Sequence, residues 1–249
     1  MFISPLEQFS IVTLNSFYLG RLDFSFTNSS CIFIICLLIL FLLSNLMCAN
    51  STLLPGFWQT VAESIYEFFL LSVFVENVKK GSSQFFSTFC SIFIFIFLCN
   101  LLGMVPYSFA VTGHIAVTLA MATFAFLAIN IVGIRTHGSN IFSLFLPPGS
   151  PLVLSPLLVI IELVSYSFRV ISLALRLFAN MMSGHCLLKI LAGFAWSLFA
   201  SSGILSLLHL LPLMVIFAIV GLELAIAFLQ AYVFVILLCV YLNDVIALH

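Results

Sequence analysis

One long stretch of the chain decides the fold: Pro156–Lys189, which reads PLLVIIELVSYSFRVISLALRLFANMMSGHCLLK. No glycine or proline interrupts it between Pro156 and Ser183, and the preceding Ser155 makes a favourable helix start with Pro156. A helix over this stretch would be about 50 Å long, whereas the hydrocarbon core of a bilayer is only ~30 Å thick. Because its sides are apolar, such a helix cannot project far into water. We therefore expect it to lie strongly tilted in a membrane.

The composition of the whole chain supports a membrane setting. Of the 249 residues, 64% are hydrophobic and only 6% are charged, whereas a soluble domain carries roughly 25% charged residues. The net charge of -1 leaves no basic surface to neutralise phosphates, which argues against a nucleic-acid partner. The seven cysteines are scattered through apolar runs without a metal-binding spacing, so we expect neither a disulfide framework nor a metal site.

The remaining segments predict an all-α integral membrane chain that forms a single membrane domain over residues 1–249. We expect a transmembrane helix over 31–47, an interfacial amphipathic helix over 57–78, a transmembrane hairpin over 85–105 and 114–134, and two long tilted helices over 155–190 and 204–244. Basic residues fall mostly on one side of this arrangement: Lys79, Lys80 and Arg135 against Arg21. This distribution predicts that the C-terminus faces the matrix or the cytoplasm.

Polar residues follow one face of each long helix. In the first helix they are spaced three or four apart: Glu162, Ser165, Arg169, Ser172, Arg176, Asn180 and Ser183. In the second they are separated by multiples of seven: His209, Glu223, Gln230 and Asp244. Because a charge inside a membrane costs several kcal/mol, each ionisable residue here is a functional candidate.

A single antiparallel register of the two helices brings three polar pairs together. These are Glu162 with Asp244, Arg176 with Gln230, and His185 with Glu223. Two of the pairs are ionisable clusters at opposite ends, and an arginine with an amide neighbour lies between them. This is the layout expected of two proton paths that do not meet, separated by a fixed positive charge.

Structural roles remain open for several of these residues. Glu162 or Asp244 alone also fits an anchor at the membrane interface. Arg169 and Lys189 fit side chains that extend to the near membrane surface. A lone histidine such as His114 or His209 fits a hydrogen-bonded structural group. A structural role fits Arg176 poorly, because arginine stays protonated at any accessible pH and cannot be neutralised to escape its desolvation cost.

The stretch over residues 162–196, ELVSYSFRVISLALRLFANMMSGHCLLKILAGFAW, resembles the a subunits of F-type ATP synthases. The core of the resemblance is Arg176-Leu177 with Asn180, and GLELAIAFLQAYVFVIL in the last helix also matches. The segments SPLEQF, MVPYSF and LPPGSPLVLSPLLVIIEL are similar to mitochondrially encoded members, plant and protist forms especially. The resemblance covers nearly the whole chain.

The resemblance implies a role for each candidate residue. Arg176 matches the essential stator arginine, with Asn180 and Gln230 as its polar companions. The remaining four match the linings of the two half-channels: His185 and Glu223 on the intermembrane-space side, Glu162 and Asp244 on the matrix side. A histidine on the first helix and a glutamate on the second is the mitochondrial arrangement.

The resemblance also implies partners and location. It implies a proton-translocating stator subunit, with no catalysis of its own and no cofactor or metal, that couples proton flow to ATP synthesis. Its partners would be a ring of c proteolipids carrying buried carboxylates, the peripheral stalk and other membrane-sector subunits, and lipid. The implied location is the mitochondrial inner membrane, multi-pass, and the 29 phenylalanines are in keeping with an AT-rich organelle genome. No GxxxxGK[ST] loop occurs, so we expect nucleotides to bind to partners only.

Two other classes fit the residues less well. A haem-binding cytochrome needs paired axial histidines on facing helices, and the two long helices do not offer two such pairs. A self-contained transporter usually has internal repeats with helices broken at the midplane, and the sequence has no such repeats.

Overall fold

The computed structural model describes residues 4–20, 22–48, 56–69, 83–105, 108–138, 141, 155–200 and 208–246. Within them lie six α-helices: α1 (Asn28–Cys48), α2 (Phe57–Phe68), α3 (Phe86–Gly103), α4 (Ile115–His137), α5 (Ser155–Phe199) and α6 (Leu210–Ile246). Five helices of this described part, all except α2, are long and apolar enough to cross a membrane. The prediction of an all-α integral membrane protein is confirmed, and the chain is multi-pass.

Four short strands near the N-terminus were not predicted from the sequence. Strand β1 (Thr13–Asn15) pairs antiparallel with β4 (Phe26–Thr27), and β2 (Tyr18–Leu19) pairs with β3 (Leu22–Asp23). Gly20 has a φ of 67°, which lets the chain turn sharply after β2. Ahead of the strands, residues Pro5–Phe9 form one turn of 3₁₀ helix.

The two long helices differ from their expected limits at the connection between them. Helix α5 continues to Phe199 through Gly193, instead of ending at residue 190. A glycine inside a helix costs only about 1 kcal/mol relative to alanine, and in lipid the backbone groups must be paired within the helix. Helix α6 begins at Leu210, and residues 204–207 of its expected start lie outside the described part. Residues 70–78 of the expected interfacial helix also lie outside it.

The described chain divides into two compact units. The first comprises Met1–Phe41, Phe95–His114 and Leu177–Gln230, and the second comprises Leu42–Ile94, Ile115–Arg176 and Ala231–His249. Each unit therefore contains a part of α5 and a part of α6, and each is described separately below.

Small residues and buried amides hold the first unit together. Asn100 of α3 is fully buried and donates from Nδ2 to the Ala227 carbonyl of α6 at 3.3 Å. A Cβ added at Gly103 would lie 3.2 Å from the Met181 side chain, so this glycine lets α3 and α5 approach closely. Close approach at small residues, reinforced by interhelical hydrogen bonds, is how helices associate in lipid.

Similar contacts hold the second unit together. The Tyr166 hydroxyl of α5 donates to Asn130 Oδ1 of α4. At the end of α4, His137 Nε2 lies 3.0 Å from the Ile246 carbonyl of α6. These contacts fix α4 against the N-terminal part of α5 and the C-terminal end of α6.

Candidate functional site

The first unit holds a buried imidazole and carboxylate pair. His185 Nε2 of α5 lies 3.8 Å from Glu223 Oε1 of α6, and Glu223 is only 3% exposed. Neither carboxylate oxygen of Glu223 has a hydrogen-bond partner within the described part of the chain. A buried polar group without a partner costs free energy unless water satisfies it. The pair is therefore suited to hold water and to exchange a proton through it.

A glycine creates the space for this carboxylate. A Cβ added at Gly184 would lie 2.6 Å from Glu223 Oε1 and 2.9 Å from its Cδ, closer than real Cβ contacts. The glutamate of α6 therefore lies directly against the backbone of α5. The residue next to His185 must be glycine for the carboxylate to occupy this place.

The aromatic ring of Phe9 lies against the imidazole of His185. The ring centroid of Phe9 lies 6.3 Å from that of His185 and 6.3 Å from that of His114, edge to face in both cases. Phe109 stacks on His114 with the ring centroids 4.9 Å apart. His114 precedes α4, outside the spanning helices, and burial lowers the pKa of its imidazole. The N-terminal segment therefore reaches the predicted site, which the sequence analysis did not anticipate.

Two predicted amides form a second pair in the first unit. Asn180 Nδ2 donates to Gln230 Oε1 at 2.8 Å, and Gln230 is 5% exposed. Arg176 belongs to the second unit and is exposed there. The predicted opposition of Arg176 and Gln230 stays a prediction.

The second unit brings the other two predicted acids to one arginine. Arg169 lies 3.6 Å from Glu162 Oε1 and 3.5 Å from Asp244 Oδ2. Its guanidinium carbon also lies 5.7 Å from the centroid of the Tyr166 ring and 5.3 Å from that of Tyr241, within the range of a cation–π contact. The register prediction placed the two acids together but did not include the arginine between them.

Sequence reasoning also missed Asn100. Its Nδ2 is bonded to Ala227, which lies between Glu223 and Gln230 on α6, and its buried Oδ1 has no partner among the described residues. It is the one amide in α3, whose sequence FSTFCSIFIFIFLCNLLG contains no charged residue. A polar residue inside a span is the signal that could have identified it.

The described residues contain no group of three or more His, Cys, Asp or Glu suited to a metal ion.

Comparison with known proteins gives a consistent result. The family model of the ATP synthase A chain matches residues 29–243. The chain is 49% identical to ATP synthase subunit a of Marchantia polymorpha over 253 residues, covering 100% of both chains. It is 49% identical to the subunit a of Chondrus crispus over 246 residues, 99% of this chain and 97% of the relative. It is 45% identical to the subunit a of Rhodospirillum rubrum over 246 residues, 99% of both chains.

Proposed function

Because the chain belongs to the ATP synthase A chain family, whose members are the proton-translocating subunits of the membrane sector, we propose that it provides two offset aqueous half-channels to a rotor ring. In this proposal His185 and Glu223 line the half-channel on the intermembrane-space side. Glu162 and Asp244 line the half-channel on the matrix side. Arg176 is the fixed charge that keeps the two paths apart, with Asn180 and Gln230 as its polar companions.

The observation that carries the proposal is the pair formed by His185 and Glu223. Two titratable groups 3.8 Å apart lie in a helical membrane protein, and the carboxylate is almost completely buried. Burying such groups in an apolar chain is unfavourable, so their presence calls for a function. Histidine and glutamate side chains both transfer protons near neutral pH in proteins when the surroundings bring their pKa values into that range. A proton relay is the function that uses both.

The direction of proton transfer follows from the cost of burying charge. A proton that passes His185 and Glu223 neutralises a carboxylate on the rotor, and the neutral form can face lipid whereas the charged form cannot. After the rotor has turned, the carboxylate reaches the path at Glu162 and Asp244 and releases its proton. Arg176 favours the ionised carboxylate as it passes and repels protons that would cross directly between the paths.

The partners follow from the same scheme. As a member of this family the chain assembles with other ATP synthase subunits such as the c ring. We propose that each ring subunit brings one buried carboxylate to Arg176, and that nucleotides bind elsewhere in the complex.

We also propose that the chain resides in the mitochondrial inner membrane and is encoded in the organelle. The placement of histidine at 185 and glutamate at 223, together with the 29 phenylalanines, supports this location. Fractionation of the source cells followed by immunoblotting for this chain tests it, and recovery in any membrane other than that of mitochondria would contradict it.

The mechanism is tested by substituting Arg176 in the assembled complex. Arg176→Lys and Arg176→Ala should both abolish proton-driven ATP synthesis in sealed vesicles while the complex still assembles. Lysine keeps a charge but lacks the planar fork of arginine, and its pKa shifts readily when it is desolvated. Arg176→Ala should also leak protons passively, because the barrier between the half-channels is gone.

Arg169→Ala is the matched control, since it removes an arginine two turns earlier on the same helix. This control should keep measurable coupled synthesis. Near-normal synthesis in the Arg176→Ala complex would refute the proposed mechanism.

A further inference from the structure

The N-terminal segment Ser4–Ser10, which precedes all the helices, lies against the buried pair of the first unit. Phe9 presents its ring to both His114 and His185, with ring centroids 6.3 Å apart in each case. The fit is close, because a Cβ added at Gly113 would lie 2.7 Å from Phe9 Cε1. The neighbouring Gln8 has a buried amide nitrogen without a hydrogen-bond partner in the described part of the chain.

Both ends of this segment are fastened to helices. Lys189 Nζ of α5 donates to the Ser4 carbonyl at 3.4 Å. At the other end, Asn28 at the start of α1 donates from Nδ2 to the Ser10 carbonyl at 3.2 Å and accepts from the Val12 backbone nitrogen at 3.3 Å. Within the segment, the Ser10 hydroxyl donates to the Glu7 carbonyl at 2.8 Å, which closes the 3₁₀ turn. A terminal segment stays ordered only when it is tied down in this way.

We propose that the segment Ser4–Ser10 is a wall of the His185 and Glu223 proton path, and that Phe9 limits the access of water to the imidazole of His185. This inference rests on the proposed function, since it assigns a boundary to one of the two proposed half-channels. An apolar ring against an imidazole excludes water from the side that it covers. Water would therefore reach His185 from a side that Phe9 does not cover. Phe9 is a positioning residue and carries no proton itself.

The test measures how fast His185 reacts with a water-borne reagent in the intact complex. Diethyl pyrocarbonate acylates uncharged imidazoles, and peptide mass spectrometry reports the rate separately for His185 and for His209, which serves as the internal reference. Phe9→Ala should raise the rate at His185 relative to His209 by about threefold to tenfold, the range expected when an aromatic contact is lost. Leu6→Ala is the matched control, because Leu6 lies in the same turn but is 54% exposed, and it should leave the ratio unchanged.

The anchor at Lys189 gives a second and gentler perturbation. Lys189→Gln weakens the hydrogen bond to Ser4 and should raise the His185 rate in the same direction, whereas Lys189→Arg restores a donor and should return it to the wild-type value. If the Phe9→Ala complex does not assemble, this pair decides the question. A His185 rate that stays at the wild-type value in Phe9→Ala, or that is equal in the two Lys189 variants, would overturn the inference.

The proposed function can fail separately from this inference. His185→Ala and Glu223→Gln should each block proton-driven ATP synthesis if the pair is a proton path. Full ATP synthesis in both variants would contradict the proposed function, whatever the rates at which His185 reacts with diethyl pyrocarbonate. Blocked ATP synthesis in these two variants, together with an unchanged His185 reaction rate in Phe9→Ala, would contradict only the inference about the segment Ser4–Ser10.

Discussion

Replacing Gly184 by alanine perturbs the proposed proton path with a single methyl group. The added Cβ would lie 2.6 Å from Glu223 Oε1, 2.9 Å from Cδ and 3.3 Å from Cγ. Ordinary van der Waals contact begins at 3.4 Å, so the carboxylate must move by about 0.8 Å or more, a displacement of the size that disturbs catalytic geometry. Because Glu223 is only 3% exposed, the carboxylate cannot move aside into bulk solvent. The carboxylate therefore shifts relative to His185, from which it is now separated by 3.8 Å.

The expected effect on proton transfer is large. A misplacement of about 1 Å at a reacting group can cost a factor of about 100 in rate. We therefore expect Gly184→Ala to slow proton-driven ATP synthesis by about 10- to 100-fold, because proton transfer depends steeply on donor–acceptor geometry. In a helix interior, alanine is more favourable than glycine by about 1 kcal/mol. The helix is thus favoured by the same substitution that slows transfer.

The assay is ATP synthesis by the purified complex in liposomes under an imposed pH difference and membrane potential. Gly193→Ala is the matched control, since Gly193 lies in the same helix and a Cβ there meets no neighbouring atom of the described residues within 4 Å. Gly221→Ala is a second control on α6, two residues before Glu223, with equally open space. Both controls should synthesise ATP at rates close to the wild type. Native gel electrophoresis with immunoblotting for this chain shows that each complex has assembled.

Three outcomes are informative. A slow Gly184→Ala complex beside two normal controls supports the role of Glu223 geometry. A normal rate in assembled Gly184→Ala complexes would refute the reasoning, because the carboxylate would then tolerate the displacement. Equal slowing in all three variants would show that helix flexibility matters instead of the contact with Glu223.

Three further predictions concern the helix register, the two aqueous faces and Arg169. Cysteines introduced together by His185→Cys and Glu223→Cys, or by Arg176→Cys and Gln230→Cys, should crosslink with short reagents, whereas Glu162→Cys with Glu223→Cys should not. Efficient crosslinking of that last pair would contradict the register. Single cysteines at 223 and at 244, in a background without native cysteines, should react with membrane-impermeant thiol reagents from opposite faces, and labelling of both from one face would exclude offset half-channels. Arg169→Ala should slow coupled synthesis by no more than about 30-fold, because its two ion pairs are partly exposed and each is worth about 1 kcal/mol or less; complete loss, measured in the same liposome assay, would contradict this expectation.

Length, hydropathy and helix breakers made the fold predictable. The uninterrupted stretch after Ser155 predicted a helix too long to cross upright, and α5 is indeed 45 residues long. The end of that helix was less predictable, because Gly193 normally weakens a helix by an amount that neighbouring apolar residues and the lipid setting can offset. The N-terminal strands left no clear signal, since β1 has only three residues and the other strands have two.

The pairing of polar residues was predictable where one regular helix faces another. The single antiparallel register predicted that His185 lies opposite Glu223, and their side chains are 3.8 Å apart. The prediction works because two helices that face each other keep their register over several turns. The register of the two long helices could not predict the positions of Phe9 or Asn100, because both belong to other segments, whose path is set by tertiary packing. The register also did not predict that Arg169 is the arginine that contacts Glu162 and Asp244, since Arg169 and Arg176 lie on the same polar face of the helix.

Arg169 illustrates how packing changes the meaning of a charged stripe. Its guanidinium lies between two carboxylates, at 3.6 Å from Glu162 and 3.5 Å from Asp244. The positive charge of Arg169 therefore lies within reach of both carboxylates. Without the arginine, two like charges would face each other and oppose joint ionisation. In the proposed mechanism a released proton must be accepted and then passed on to water. Arg169 reduces the repulsion between the two acids, and the part-exposed positions of all three side chains keep the cluster in reach of water. In the proposed mechanism Arg169 therefore supports the matrix-side path by balancing charge, whereas Arg176 is proposed to act on the rotor.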